Sequence, residues 1–153
     1  MGMFSMVFNG QETEMKFRLV HRLLTERNYT VVMADPQAGR NVKGDSVRYL
    51  GQLKENEGVL LAVCSPEYAE DQLEETKYEE VKFAFDNDLE IVPLRVSDTY
   101  LPERPDPRYA TVGKSSMVDL LRSAIPRWAV DVDCRRLDEG EIASRIAKRL
   151  WEP

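Results

Sequence analysis

The stretch Val59-Leu60-Leu61-Ala62-Val63-Cys64-Ser65-Pro66-Glu67-Tyr68 decides the fold. Six apolar residues run without interruption and stop at Ser-Pro. A strand with one wet face alternates polar and apolar residues. A short run without alternation reads as a strand buried on both faces, as in a parallel sheet covered by helices. Open α/β sheets bind ligands just past the carboxyl ends of such strands. An acidic, helix-like segment follows, and a carboxylate on it is placed for chemistry.

Outward from this strand, the chain alternates strand-like and helix-like segments. Residues 3–8, 29–34, 90–96 and 128–132 read as further strands. Residues 12–27 carry Met15, Leu19, Val20, Leu23 and Leu24 at helical spacing, and 45–54 carry Val47, Leu50 and Leu53 on one side. Helices are also expected over 71–87, 115–124 and 139–150, the last with Ile142, Ile146 and Leu150. Turn chemistry makes 35–43 a loop, with Pro36 and Gly39, and Pro102, Pro105 and Pro107 make 97–113 a longer one. Strands alternating with helices predict an α/β fold with a parallel sheet wrapped on both faces. Right-handed crossovers favour the flavodoxin-like order 2-1-3-4-5.

A chain of 153 residues fits one domain, 1–153, which a larger protein could also carry. A net charge of −6 argues against a nucleic-acid backbone or an anionic membrane as the main partner. One His and two Cys, Cys64 and Cys134, cannot build a usual four-ligand zinc site, so no metal is expected. Sparse cysteine suits a reducing, cytoplasmic setting. No window is long and apolar enough to span a membrane, and the N-terminus lacks signal-peptide character. Met6 stands where a myristoylation motif needs Ser or Thr.

Some tempting motifs fail on chemistry. Gly39 to Gly44-Asp45-Ser46 is close to a phosphate-binding loop, but Asp45 replaces its lysine and would repel phosphate. His21 lies mid-helix, away from the strand ends, and reads as a solvated or partly packed histidine. Trp128 and Trp151 read as core or interface anchors.

Taken in order, several short segments resemble the TIR (Toll/interleukin-1 receptor) domain family. Met6-Val7-Phe8-Asn9-Gly10-Gln11-Glu12-Thr13 is similar to its opening box, with Asn9 where Arg is common. Residues 35–44 stand at the loop after the second strand. Ser65-Pro66-Glu67-Tyr68 matches the Ser-Pro-x-Tyr after the third, and Ile91-Val92-Pro93-Leu94 matches the fourth. The family's Trp-Cys-x-x-Glu reads here as Thr76-Lys77-Tyr78-Glu79-Glu80, which keeps the glutamate and lacks the tryptophan. The resemblance spans about residues 3–150.

Some TIR domains cleave NAD at the nicotinamide–ribose bond, so the resemblance implies NAD as substrate, no separate cofactor, and Glu80 as the catalytic residue. One acid suffices in principle. Nicotinamide in NAD is already a cationic pyridinium and leaves neutral without protonation, unlike the leaving group of an ordinary glycoside. One carboxylate can then stabilise the oxocarbenium-like transition state or orient the ribose hydroxyls.

The residues themselves narrow the choice among seven carboxylates from Glu67 to Glu80. At about 100° per residue, Leu73, Val81, Ala84 and Phe85 define a buried side. Glu80 falls at its rim, Glu75 and Glu79 point away, and Glu74 is the runner-up. The plainer reading is that Glu80 borders the core and pairs with a Lys or Arg.

Asn9, Gly10 and Gln11 sit at the expected switch point, and Gly10 would let a backbone approach closely or simply make a turn. Arg40 and Lys43 could reach phosphates or be merely solvated. Ser65 reads more readily as a cap than as a ligand contact. By resemblance, Phe8 and Tyr78 join the substrate-binding set.

Two rivals stand beside this reading. A TIR module without catalysis would signal through assembly with other TIR domains, using the 35–43 loop and the helices from Asp45 and Asp71. Its acidic stretch 67–80 could meet Arg135, Arg136, Arg145, Lys148 and Arg149 head to tail in a homo-oligomer or filament. An enzyme resembling nucleoside 2-deoxyribosyltransferases is the third candidate.

Overall fold

A computed structural model describes residues 1–38, 41–69, 75–98, 117–125 and 131–152. The strands are β1 (Gly2–Ser5), β2 (Val31–Met33), β3 (Val59–Cys64), β4 (Glu90–Arg95) and β5 (Val132–Asp133). The helices are α1 (Glu12–Glu26), α2 (Val42–Glu55), α3 (Glu75–Asp86), α4 (Met117–Ala124) and α5 (Glu139–Leu150). All strand pairs are parallel, and the order is β2-β1-β3-β4-β5. This is the flavodoxin-like α/β arrangement expected from the sequence. The order reverses between β1 and β3, so the crevice of such a sheet opens at their carboxyl ends.

Strand alternation divides the core into two layers. Phe4, Leu61, Val63 and Leu94 pack on one face with Phe17, Val20 and Leu24 of α1 and Ile142 and Ile146 of α5. Met3, Leu60, Ala62 and Cys64 pack on the other with Leu50 and Leu53 of α2, Val81 and Ala84 of α3 and Leu121 of α4. β3 is buried from Leu60 onward, as its uninterrupted apolar run requires.

Three helix-to-strand joints use one device. Asn28, Glu57 and Asp88 each take a left-handed conformation, with φ of 68°, 50° and 55°. The next N–H then bonds back into its helix: Tyr29 to the Leu24 carbonyl, Gly58 to Leu53, and Leu89 to Ala84. Such closures satisfy carbonyls that a helix end leaves open.

Several elements differ from their expected bounds. β1 stops at Ser5 because its ladder ends at the Ser5–Ala62 pair, which leaves Phe8 in the following loop. α2 begins at Val42, earlier than 45, because the Asn41 side chain accepts the Gly44 N–H at 3.2 Å and caps it. A short 3-10 turn, Pro36–Ala38, precedes it. β5 pairs with β4 only through Leu94 and Arg95, just past Pro93, which has no N–H to give. Trp128, most of the 97–113 loop and the start of the acidic helix lie outside the described residues.

Three assigned core positions are wrong in detail. Val47 and Phe85 are 63% and 45% exposed. The buried stripe of α2 is Ser46, Leu50 and Leu53, and that of α3 is Lys77, Glu80, Val81 and Ala84. Met15, assigned to the apolar stripe of α1, is also exposed, and Phe17 fills the core in its place.

Trp151 stacks on Tyr29 with ring centroids 4.5 Å apart, an anchor as expected. His21 places Nε2 2.9 Å from the Val31 carbonyl, partly packed against the end of α1's neighbour strand. Gly58 passes so close to its surroundings that an added Cβ would lie 2.5 Å from Leu53 Cδ1 and 2.7 Å from the Met1 carbonyl. Gly51 has nothing within 4 Å. Gly58→Ala should therefore destabilise by about 1–3 kcal/mol, whereas Gly51→Ala, inside α2, should stabilise by about 0.5–1 kcal/mol. Opposite shifts in thermal midpoint check this pair; a shared sign would contradict the packing described.

Candidate functional site

Ser5 is the last residue of β1 and shares a face with Met3, beneath α2 and α3. Glu80 projects from α3 onto the same spot and is fully buried. The structure therefore corrects the rim position expected from the helical wheel. The reason is the stripe itself: Lys77 and Glu80 occupy positions that an apolar pair would normally fill.

A buried carboxylate must replace its lost water with donors. Ser5 Oγ donates to Oε1 and Ser46 Oγ to Oε2, each at 2.8 Å. Lys77 Nζ, itself nearly buried, lies 3.5 Å from Oε1. The Tyr68 hydroxyl donates to Ser5 Oγ at 2.6 Å, which completes a directed chain from Tyr68 through Ser5 to Glu80. Burial pushes the Tyr68 hydroxyl well above its ordinary pKa, so it stays protonated as the donor.

The network continues outward. Lys77 Nζ stands 4.9 Å from the centre of the Phe8 ring, and Arg18 Cζ stands 5.1 Å from it. Phe8 thus contributes a π-face between two cations. Arg18 grips Asp35 bidentately, at 2.5 and 2.8 Å, and Glu14 at 3.1 Å. Glu14 in turn accepts the Gly10 N–H at 3.2 Å. Gly10 adopts φ of 75°, a conformation that suits glycine. Segments after β1 and β2 are tied in this way to α1, and through Phe8 to α3.

A cleft of about 210 Å3 opens at the ends of β1 and β3, beside the first turn of α1. Met6, Val7 and Val63 supply its apolar lining, and Asn9, Gln11, Thr13 and Ser65 its neutral polar lining. Glu12 and Glu67 add two carboxylates. Glu80 does not line it: Ser5, which the carboxylate binds, belongs to the opposite layer from Met6 and Val63.

The expected site residues therefore fall into separate groups. Phe8 is brought to Glu80 through Lys77. Asn9, Gln11 and Ser65 meet in the cleft, with Gly10 beside them in the same loop. Asn9 also uses Oδ1 to accept the Gln11 N–H at 3.0 Å. Ser65 is buried, and it is the Ser65 backbone carbonyl that accepts the Tyr68 N–H in the 3-10 turn Pro66–Ala69. Its hydroxyl makes no cap among the described residues. Lys43 is exposed in the first turn of α2, and Tyr78 packs against the α2–α3–α4 layer. Arg40 and Glu74 lie outside the described residues.

The plainer expectation that Glu80 pairs with a Lys or Arg is met by Lys77, but the sequence reading missed Ser5, Ser46 and Tyr68 as members of its network. A signal existed for two of them. Ser5 keeps the register of buried Met3, and Ser46 lies on the Leu50–Leu53 stripe at about 100° per residue. Both are hydroxyls in apolar positions.

Other chemistry finds less support. Burial pushes both thiols, Cys64 and Cys134, up to about 12, far from a reactive thiolate. Among the described residues, no group of His, Cys, Asp and Glu could hold a metal ion, and no helix is long and apolar enough to cross a membrane. Two of the basic residues assigned to head-to-tail pairing are engaged within the chain: Arg135 with Asp133 and Asp98, and Arg149 with Glu90.

No family model matches the chain, and no curated protein or solved structure matches it either.

Removing one member of a buried ion pair leaves an uncompensated charge. Lys77→Met should therefore cost about 3–5 kcal/mol. Ser46→Ala, which removes one hydrogen bond to a charge, should cost about 1.5–3 kcal/mol. Denaturant unfolding checks both; losses within about 0.5 kcal/mol, typical of a neutral surface site, would contradict the network.

Asp35 adds a pH signature. Hydrogen bonds from Arg18 hold its carboxyl below the ordinary 3.8. A pKa lowered by folding gives stability that is full above the unfolded value and lost as pH falls through the folded one. Asp35→Asn should lower stability at neutral pH and converge with the parent protein in strong acid. A constant gap across the acid range would contradict this pairing.

Proposed function

We propose that this chain is a TIR-like NAD glycohydrolase in which Glu80 contacts the ribose of NAD. The observation that carries the reading is the solvation of Glu80. Both oxygens of a wholly buried carboxylate take hydroxyl hydrogen bonds at 2.8 Å, at the carboxyl end of β1. A ribose 2′,3′-diol offers a carboxylate the same pair of donors. The serines hold Glu80 in the resting state in the manner that the substrate diol would in the productive one.

In the proposed reaction, the bond from ribose C1′ to the pyridinium nitrogen breaks, and its electron pair leaves with nicotinamide. Glu80 stabilises the positive charge developing on the ribose. Water adds to C1′ and releases a proton, giving ADP-ribose. In a cyclising variant, a ring nitrogen of adenine takes the place of water.

Glu80 is sealed in the structure, so substrate entry requires Ser46 on α2 to yield its hydrogen bond. Self-assembly is the natural trigger for such a shift. Lys77, at the position of the family's cysteine, supplies the charge that lets Glu80 remain buried while no substrate is bound.

A second reading, a non-catalytic TIR assembly module, is favoured by one observation. Val47 on α2 and Phe85 on α3 are large apolar side chains left exposed on two of the helices expected to assemble.

Nicotinamide release from NAD by concentrated protein separates these readings. The parent protein should release it, and Glu80→Gln, which keeps the side chain's shape, should reduce release by about 100-fold or more. Melting curves confirm that the variant is folded. Undiminished release from folded Glu80→Gln would overturn the assignment. An inert parent protein at assembling concentrations would favour the interaction module, and base exchange between nucleosides without NAD cleavage would favour a deoxyribosyltransferase-like enzyme.

A further inference from the structure

The cleft beside α1 has features that the Glu80 network leaves unused. Gln11 occupies the N-cap of α1, yet its side chain makes no capping hydrogen bond. Among the described residues, the first-turn amides thus lack a side-chain partner at a 15-residue helix whose end carries partial positive charge.

Ser65 is an independent pointer to a ligand. The residue is only 4% exposed, and among the described residues nothing hydrogen-bonds its hydroxyl. Among those residues, no fully sealed side-chain polar atom lacks a partner. The Ser65 hydroxyl therefore keeps its remaining exposure, and the surface it lines is the cleft.

The charge of the lining selects the ligand. Among the described residues no basic side chain lines the cleft, whereas Glu12 and Glu67 do. An anion would meet two carboxylates; an uncharged or cationic group would not be repelled. A carbonyl oxygen can accept from the open amides or the Ser65 hydroxyl, and an N–H can donate to Asn9, Gln11 or a carboxylate. Met6, Val7 and Val63 suit the faces of a flat ring. The volume of about 210 Å3 lies below the usual range for drug-sized ligands, so one ring with a small substituent fits it.

We propose that this cleft is a binding site for a small uncharged or cationic aromatic carboxamide of the nicotinamide type, separate from Glu80. The choice of nicotinamide as that amide rests on the NAD-cleaving reading. The preference for amide over anion rests only on the lining.

Titrations followed by amide NMR test this with three probes: nicotinamide, the 1-methylnicotinamide cation and nicotinate. The first two should shift the amides of residues 9–14, 63–65 and 67, and nicotinate should bind at least tenfold more weakly. Ser65→Ala should weaken nicotinamide at least fivefold while leaving the fold intact, because its hydroxyl has no partner to lose. Glu67→Gln should narrow the gap between nicotinate and the other two.

Nicotinate binding as tightly as nicotinamide would overturn the proposal. So would shifts confined to other residues, or Ser65→Ala binding unchanged. The same titration on Glu80→Gln keeps the two claims apart. Nicotinamide bound in the cleft of a protein that never cleaves NAD would defeat the catalytic reading alone. Cleavage without cleft binding would defeat this one alone.

Discussion

The buried ion pair of Glu80 and Lys77 constrains this end of the molecule. Glu80 is shut away from water on α3, and a carboxylate in that position needs both a counter-charge and enough donors. Lys77 supplies the first; Ser5 and Ser46 supply the second, with Tyr68 orienting Ser5 from behind. These residues come from β1, α2, α3 and the turn after β3, so satisfying Glu80 fixes how those elements meet. An apolar residue at position 80 could bury surface as well. It would not demand two hydroxyls on the facing elements, and that demand is the network's distinctive mark.

The fold explains why the network lies where it does. In the order β2-β1-β3-β4-β5, the chain leaves β1 toward α1 on one face and β3 toward α3 on the other, and the two departures leave a gap at the strand ends. The carboxylate network fills the gap on the α2–α3 face. On the other side, Phe8, Arg18, Asp35 and Glu14 tie down the segments leaving β1 and β2. Between these polar clusters and the uncapped start of α1, the cleft remains open. One sheet end thus offers a sealed acid and an accessible pocket.

Much of the architecture was legible because it rests on local rules. The unbroken apolar run of β3 and the spacing of Ile142, Ile146 and Leu150 on α5 have one reading each, and the structure keeps their bounds. The bounds of α2 failed because Asn41 caps it earlier than the apolar pattern begins. The stripes of α2 and α3 were rotated because Val47 and Phe85 look like core residues, whereas Ser46, Lys77 and Glu80 do not. Hydrophobicity alone cannot identify polar groups that are buried because they satisfy each other across 34 or 75 residues of sequence. Glu80 was legible as a candidate through family resemblance and its place on the wheel; its partners depend on tertiary contacts that no single segment encodes.

The central claim is that Glu80 exchanges its serine hydroxyls for those of a ribose. A crystal structure of the Glu80→Gln protein with NAD bound, in its assembled form, tests it most directly. Ribose hydroxyl oxygens within hydrogen-bond distance of the residue-80 side chain, with Ser46 drawn away, are the expected result. NAD bound elsewhere while residue 80 remains sealed against Ser5 and Ser46 would contradict the claim and leave the network a purely structural clamp.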